Sequence, residues 1–133
     1  MSTPEVSIPA TAIVVSGDEE TRVLLRGLLR LHHFRVEGEA EGVTHALELL
    51  HDHRPSLMVA DVNLAEGSPS VLIADARTTL SPLRVILIAP TSHPPASPPD
   101  PARRPDVLLL RPFRIRQFGE ALHPGGSMPT KPT

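Results

Sequence analysis

Leu57-Met58-Val59-Ala60 is apolar without a break, and the next residue is a carboxylate, Asp61, with Asn63 two positions on. A strand that shows one face to water alternates apolar and polar residues, so an unbroken apolar run reads as a strand buried on both faces. Such strands belong to parallel sheets sandwiched between helices, and ligands gather beyond the carboxyl ends of those strands. A charge at the end of this run is either a reactive group or one that costs free energy to keep there.

Similar runs recur along the chain. Thr11–Ser16 (TAIVVS) and Leu83–Ala89 (LRVILIA) have strand length and composition, Asp106–Leu110 resumes the pattern, and Arg35–Ala40 is a weaker strand signal. Helical stretches alternate with them. Asp18 is placed to cap a helix with Glu19 and Glu20 in its first turn, followed by Leu24, Leu28 and Leu31 at helical spacing. Val43, Ala46, Leu47 and Leu50 form a second stripe that must stop near Arg54-Pro55. A third helix is expected over Ser70–Leu80 with Leu72, Ile73, Ala76 and Leu80 inward, and a last one over Phe113–Leu122 with Ile115, Phe118 and Leu122 on one face. Between them, residues 90–105 hold seven prolines in sixteen positions and cannot form an α-helix. The prediction is an α/β, flavodoxin-like, doubly wound sheet of five parallel strands in the order 2-1-3-4-5, with a Pro-rich loop where a fourth helix would be expected. The domain spans 11–123, and residues 1–10 and 124–133 are expected to be disordered.

Composition removes several function classes. With 13 basic and 15 acidic residues the net charge is −2, which gives no electrostatic case for nucleic acid or an acidic membrane. Three Phe and no Trp or Tyr make a poor surface for stacking bases. No window of 18 apolar residues exists, the start MSTPEVSIPA is not a signal peptide, and without cysteine there is no disulfide framework. A cytoplasmic protein is expected. Twelve of the 13 basic residues are Arg and 16 residues are Pro, a bias that a GC-rich genome would also produce. His45, His51 and His53, and the pair His32-His33, match no zinc spacing, and helix C-termini account for most of them.

Four segments, VVSGDEETRVLLRGLL, HALELLHDHRPSLMVADVNLAEGS, VILIAP and LLLRPF, together resemble the receiver domain of bacterial response regulators over residues 11–123. The resemblance implies a domain that accepts a phosphoryl group from a histidine kinase, with Mg²⁺, on Asp61. It also implies a cis bond between Arg111 and Pro112. Other positions depart from the family. Its acidic pair after the first strand falls on Ser16 and Gly17, with Asp18 one position late, and its Thr or Ser at the end of the fourth strand is Ala89. Thr91 and Ser92 lie farther along the loop, the aromatic switch residue is Leu108, and the lysine is Arg111. Ala65 and Pro69 replace a usual Pro and Gly in the loop after Asp61.

Two readings of the site follow. In one, Asp61 is a buried charge neutralised by Arg111, no metal is bound, and the chain is a stand-alone pseudo-receiver that signals by protein–protein contact, with a histidine kinase or a downstream effector as partner. In the other, Asp61 is the phosphoacceptor, with Mg²⁺ on Asp18 and Asp61 and Arg111 on the phosphate. An aspartate-nucleophile phosphatase is a weaker third option, because Asn63 stands where the second acid of its DxDx[TV] motif would be. The Pro-rich loop is read either as a tolerated surface loop or as a docking segment.

Overall fold

A computed structural model describes residues 10–123; the expected disordered ends, 1–10 and 124–133, lie outside it apart from Ala10. The elements are β1 (Thr11–Val15), α1 (Glu19–Leu31), β2 (Arg35–Ala40), α2 (Val43–His53), β3 (Leu57–Asp61), α3 (Pro69–Thr79), β4 (Arg84–Pro90), β5 (Val107–Arg111) and α4 (Ile115–Leu122). All strand pairs are parallel and the order is β2-β1-β3-β4-β5, as the alternation of strands and helices predicts.

The two-residue period of the strands divides the core in two. Ile13, Val15, Met58, Ala60, Val85 and Leu87 face α2 and α3. Ala12, Val14, Leu57, Val59, Ile86, Ile88 and Leu109 face α1 and α4. All five residues of β3 are buried, the outcome its unbroken apolar run demands. Each fully buried Leu or Ile here contributes about 1.5–3 kcal/mol relative to exposure. The inward stripes of α2 and α3 lie as expected, with Leu47 half-buried against the core.

Two helices differ from the sequence reading. On α1 the buried residues are Leu25, Leu28 and Leu29, whereas Leu24 and Leu31 are exposed. The rotation is set by the opposite flank of the helix, where Arg22 and Arg26 reach Glu39 of β2. On α4 the helix starts at Ile115, which is exposed, while Phe113 stays in the preceding turn and stacks on the buried Phe118 at 5.8 Å. There the Gln117 side chain accepts the Arg114 N–H at 2.7 Å and fixes the helix start.

The Pro-rich segment contains no α-helix, only a 3₁₀ turn over Pro101–Arg103. Proline has no N–H, so the carbonyls along this segment must find donors elsewhere. Arginines supply them. Arg104 donates to the Pro98 carbonyl at 2.6 Å and the Pro99 carbonyl at 2.8 Å. Arg77 of α3 donates to the carbonyls of Ala102 and Arg104 and pairs with Asp106 at 3.0 Å, and Asp106 in turn accepts the Val85 N–H at 2.7 Å. Thus fastened, the loop arches over a cavity of about 360 Å³ floored by Ile73, Leu87 and Leu108.

Replacing Arg77 with Ala is expected to unfasten this loop. Amide exchange at Arg103 and Arg104, slowed by bonds to the Asp100 and Pro101 carbonyls, should accelerate at least tenfold. Global stability should fall by about 1–2 kcal/mol in urea, because the lost bonds are charge-assisted but partly exposed. Unchanged exchange in this segment would mean that Arg77 does not hold it.

Candidate functional site

The carboxyl ends of β1, β3, β4 and β5 meet at one rim, which brings Ser16, Asp61, Ala89 and Arg111 together. Asp61 is 1% exposed and Ser16 fully buried, and they are the two buried polar residues among those described. The Ser16 hydroxyl donates to Asp61 Oδ2 at 3.0 Å and accepts the Asp18 N–H at 3.1 Å. The Ser16 backbone is held as well: its N–H donates to the Ala40 carbonyl at 3.0 Å, and its carbonyl accepts Arg22 Nη1 at 2.7 Å.

Arg111 Nη2 stands 3.5 Å from Asp61 Oδ1. That is an ion-pair distance, but no hydrogen bond is formed and Oδ1 is left without a hydrogen-bond partner. The guanidinium neutralises the carboxylate without aligning an N–H on it. The expected pair of Asp61 and Arg111 is therefore a Coulombic contact, and the directed hydrogen bond comes from Ser16. In the sequence Ser16 stands out only as the replacement of an acid; its hydroxyl, just after β1 and facing the end of β3, is the feature that marks this role.

Asp18 is turned elsewhere. Its Oδ2 accepts the Thr21 hydroxyl at 2.7 Å and the Thr21 N–H at 3.0 Å, so it caps α1 as its position predicts. These two bonds, the hydroxyl's first, hold its carboxyl below the ordinary value of 3.8; loss of solvent opposes them, and the charges of Arg111 and Arg22 add to the lowering. The two carboxylates thus have separate hydrogen-bond partners.

Gly17 is shaped by packing. Its N–H donates to the Asn63 carbonyl at 2.7 Å, and a Cβ there would stand 3.0 Å from the Ala65 backbone nitrogen. Any side chain at this position pushes on the loop that follows Asp61. Ala89 is fully buried and offers no hydroxyl. The Thr91 N–H and hydroxyl both donate to the Arg111 carbonyl, at 2.9 and 2.5 Å, so Thr91 pins the end of β5. Leu108 is 40% exposed beside the loop cavity, and the side chain of Asn63 is exposed. The Arg111–Pro112 bond is cis. Among the described residues, no three His, Asp or Glu side chains gather into one cluster.

No protein-family model matches this sequence, and no curated protein matches it. Solved structures do. The REC domain of the Erythrobacter litoralis PhyR response regulator superposes with a TM-score of 0.72 at 20% identity, over 94% of this chain and 95% of that one. The signal receiver domain of the putative response regulator NarL from Mycobacterium tuberculosis gives 0.70 at 23% identity, over 86% and 93%. A Burkholderia pseudomallei response regulator, solved with a phosphorylated aspartic acid and a calcium ion, gives 0.71 at 20% identity, over 89% and 69%. The fold is that of a receiver domain. At these identities the fold is what is shared, and in this receiver fold Asp61 ends the central strand.

Ser16→Ala is expected to leave Asp61 Oδ2 and the Asp18 N–H without their partner and to cost about 1–3 kcal/mol in urea unfolding. A loss no larger than that of an ordinary surface change would show that the hydroxyl is not needed. Asp18 gives a pH test. Its folded-state value is lowered, so its contribution is fully present above the ordinary carboxylate value and is lost as pH falls through the lowered one. The stability advantage of the native chain over Asp18→Ala should therefore be flat near neutrality and shrink below pH 3.8. An advantage that grows on acidification would contradict the capping role.

Proposed function

We propose that this chain acts in signal transduction by protein–protein contact, as a receiver-like domain whose Asp61 is not phosphorylated in the usual Mg²⁺-dependent way. The observation that carries this reading is that the Asp61 charge is answered from within the protein, by the Ser16 hydroxyl and the Arg111 guanidinium. Phosphoryl transfer is driven mostly by positioned charge, from metal and cations that neutralise the moving group. Mg²⁺ takes near-octahedral oxygen ligands and keeps one or two carboxylates. Here one carboxylate faces the rim while Asp18 caps α1, and Ala89 supplies no hydroxyl. Losing a metal and a hydroxyl together removes several kcal/mol of transition-state stabilisation. In this proposal the protein works in the cytoplasm, through contact with a histidine kinase or a downstream effector and not as an enzyme.

One observation favours the other reading, in which Asp61 is the phosphoacceptor. Asp61 Oδ1 is buried, lacks a hydrogen bond and lies beside Arg111, which leaves an oxygen free to react. The two readings part on a titration of amide resonances with Mg²⁺, then with Mg²⁺ plus beryllofluoride, a mimic of aspartyl-phosphate. The expected result is no saturable shift at Asp18, Asp61 or Arg111 at millimolar metal. Saturable shifts at those residues would establish a working acceptor and overturn the proposal.

The proposal makes a second demand. Ser16→Asp places a second carboxylate against Asp61 and should destabilise the fold by about 3 kcal/mol without divalent cations. Millimolar Mg²⁺ should recover most of that loss, giving a melting temperature that depends on Mg²⁺ where that of the native chain does not. A native chain that is itself stabilised by Mg²⁺ would count against the reading.

A further inference from the structure

The outer surface of α1 is apolar where a solvated helix should be polar. Val23 is 48% exposed, Leu24 52% and Leu31 59%, while the inward face is already filled by Leu25, Leu28 and Leu29. Glu20, Leu24, Gly27 and Leu31 recur at spacings of four, three and four, so they form one row along the helix. The row lies away from β2, because Arg22 and Arg26 hold the other flank against Glu39. It therefore runs on the side of α4, whose Gly119 lies against His32 and whose Ile115, one turn earlier in the same row, is 58% exposed. Exposed apolar residues scattered singly mean little, whereas Val23, Leu24 and Leu31 share the outer side of one helix.

The patch carries its own complement. A Cβ at Gly27 would meet nothing within 4 Å, so the helix surface has a notch there, one turn from the protruding Leu24. When α1 packs antiparallel on a copy of itself about an axis midway between Leu24 and Gly27, Leu24 of each chain enters the notch of the other. The same axis brings Glu20 to the end of the other helix, beside Arg30 and Leu31. Both charged residues are exposed, and among the described residues the ion pairs of α1 are made by Arg22 and Arg26, not by Glu20 or Arg30. A parallel pairing would set Glu20 against Glu20.

We infer that this chain self-associates through α1, as an antiparallel two-fold pair in which Leu24 seats on Gly27 and Glu20 pairs with Arg30 of the second copy. A two-fold interface uses the same surface twice, so a knob beside a notch and an acid at the opposite end from a base satisfy it without a second surface. An unrelated partner would have to supply all four features. One helix face of 13 residues is small against the roughly 1,600 Å² of a standard interface, so the pair should dissociate on dilution. The inference does not depend on whether Asp61 is phosphorylated.

The test is sedimentation and amide NMR of the full chain from micromolar to millimolar concentration. Association should be concentration-dependent, with shifts confined to residues 20–31 and Ile115. Gly27→Gln separates the interface from the fold. Inside the monomer its side chain meets open space and removes a helix-weakening glycine, so the melting temperature should rise while association weakens roughly tenfold or more. Glu20→Arg and Arg30→Glu should each weaken association, and the double exchange should restore it, a recovery expected only if both charges belong to the same interface. A chain that stays monomeric at millimolar concentration overturns the inference. So does association indifferent to Gly27→Gln, or a set of α1 shifts that appears only when another protein is added.

Discussion

A carboxylate sits at the end of the central strand with almost no water around it, and the rim is organised to accommodate that charge. In a domain with about 5–15 kcal/mol of net stability, an unpaired buried charge costing about 3–5 kcal/mol would be a large share of the whole. Three segments meet the demand. β1 is followed by a serine whose proton goes to Asp61, and β5 ends in an arginine whose charge faces it. The loop after β3 closes over the site because Gly17 has no side chain to keep it away. The backbone follows the same logic, since Thr91 ties the start of the Pro-rich loop to the Arg111 carbonyl and fixes where the guanidinium begins.

The Pro-rich segment raises a separate problem. An α-helix satisfies its own N–H and C=O groups, and a proline-rich segment cannot. The chain solves this with guanidinium groups. Arg104 serves two proline carbonyls, and Arg77 serves two loop carbonyls and the Asp106 carboxylate. A planar fork with five donors can do this from one side chain, which a lysine ammonium does less well. The excess of Arg over Lys, whatever its genomic origin, is thus put to structural use in this loop. Beneath the fastened loop a cavity remains, and Leu108 stays partly exposed at its edge.

Much of this was legible in the sequence, and the failures have physical causes. Unbroken apolar runs gave β1, β3 and β4 to within a residue, because burial on both faces leaves little other choice. Strand order followed from the alternation with helices. Asp18 was readable as a cap from its place before two glutamates. The rotation of α1 was not readable, since leucines at 24, 25, 28, 29 and 31 supply two overlapping stripes and only the contact of Arg22 and Arg26 with Glu39 selects one. Ile115 misled for a related reason: spacing shows which residues share a face, but not whether anything covers that face. The fastening of the loop was invisible because Arg77 and Arg104 act on carbonyls more than twenty and only five or six residues away, and no local pattern marks either bond.

The hydroxyl of Ser16 links the buried charge to the surface. It has one proton, given to Asp61, and its lone pair receives the Asp18 N–H at the mouth of α1. A hydroxyl rotates to suit its strongest partner, so a group that took over Asp61 Oδ2, or withdrew its charge, would release that proton and change what the Asp18 amide meets. The first turn of α1 is held by Asp18 through Thr21. The path from Asp61 to α1 therefore consists of three contiguous hydrogen-bonded steps, with a cap at its outer end whose bonds are near solvent. Arg111 bears on both ends, because its charge faces Asp61 directly and also acts on Asp18. A partner that drew Arg111 away would therefore withdraw positive charge from the buried carboxylate and from the helix cap together.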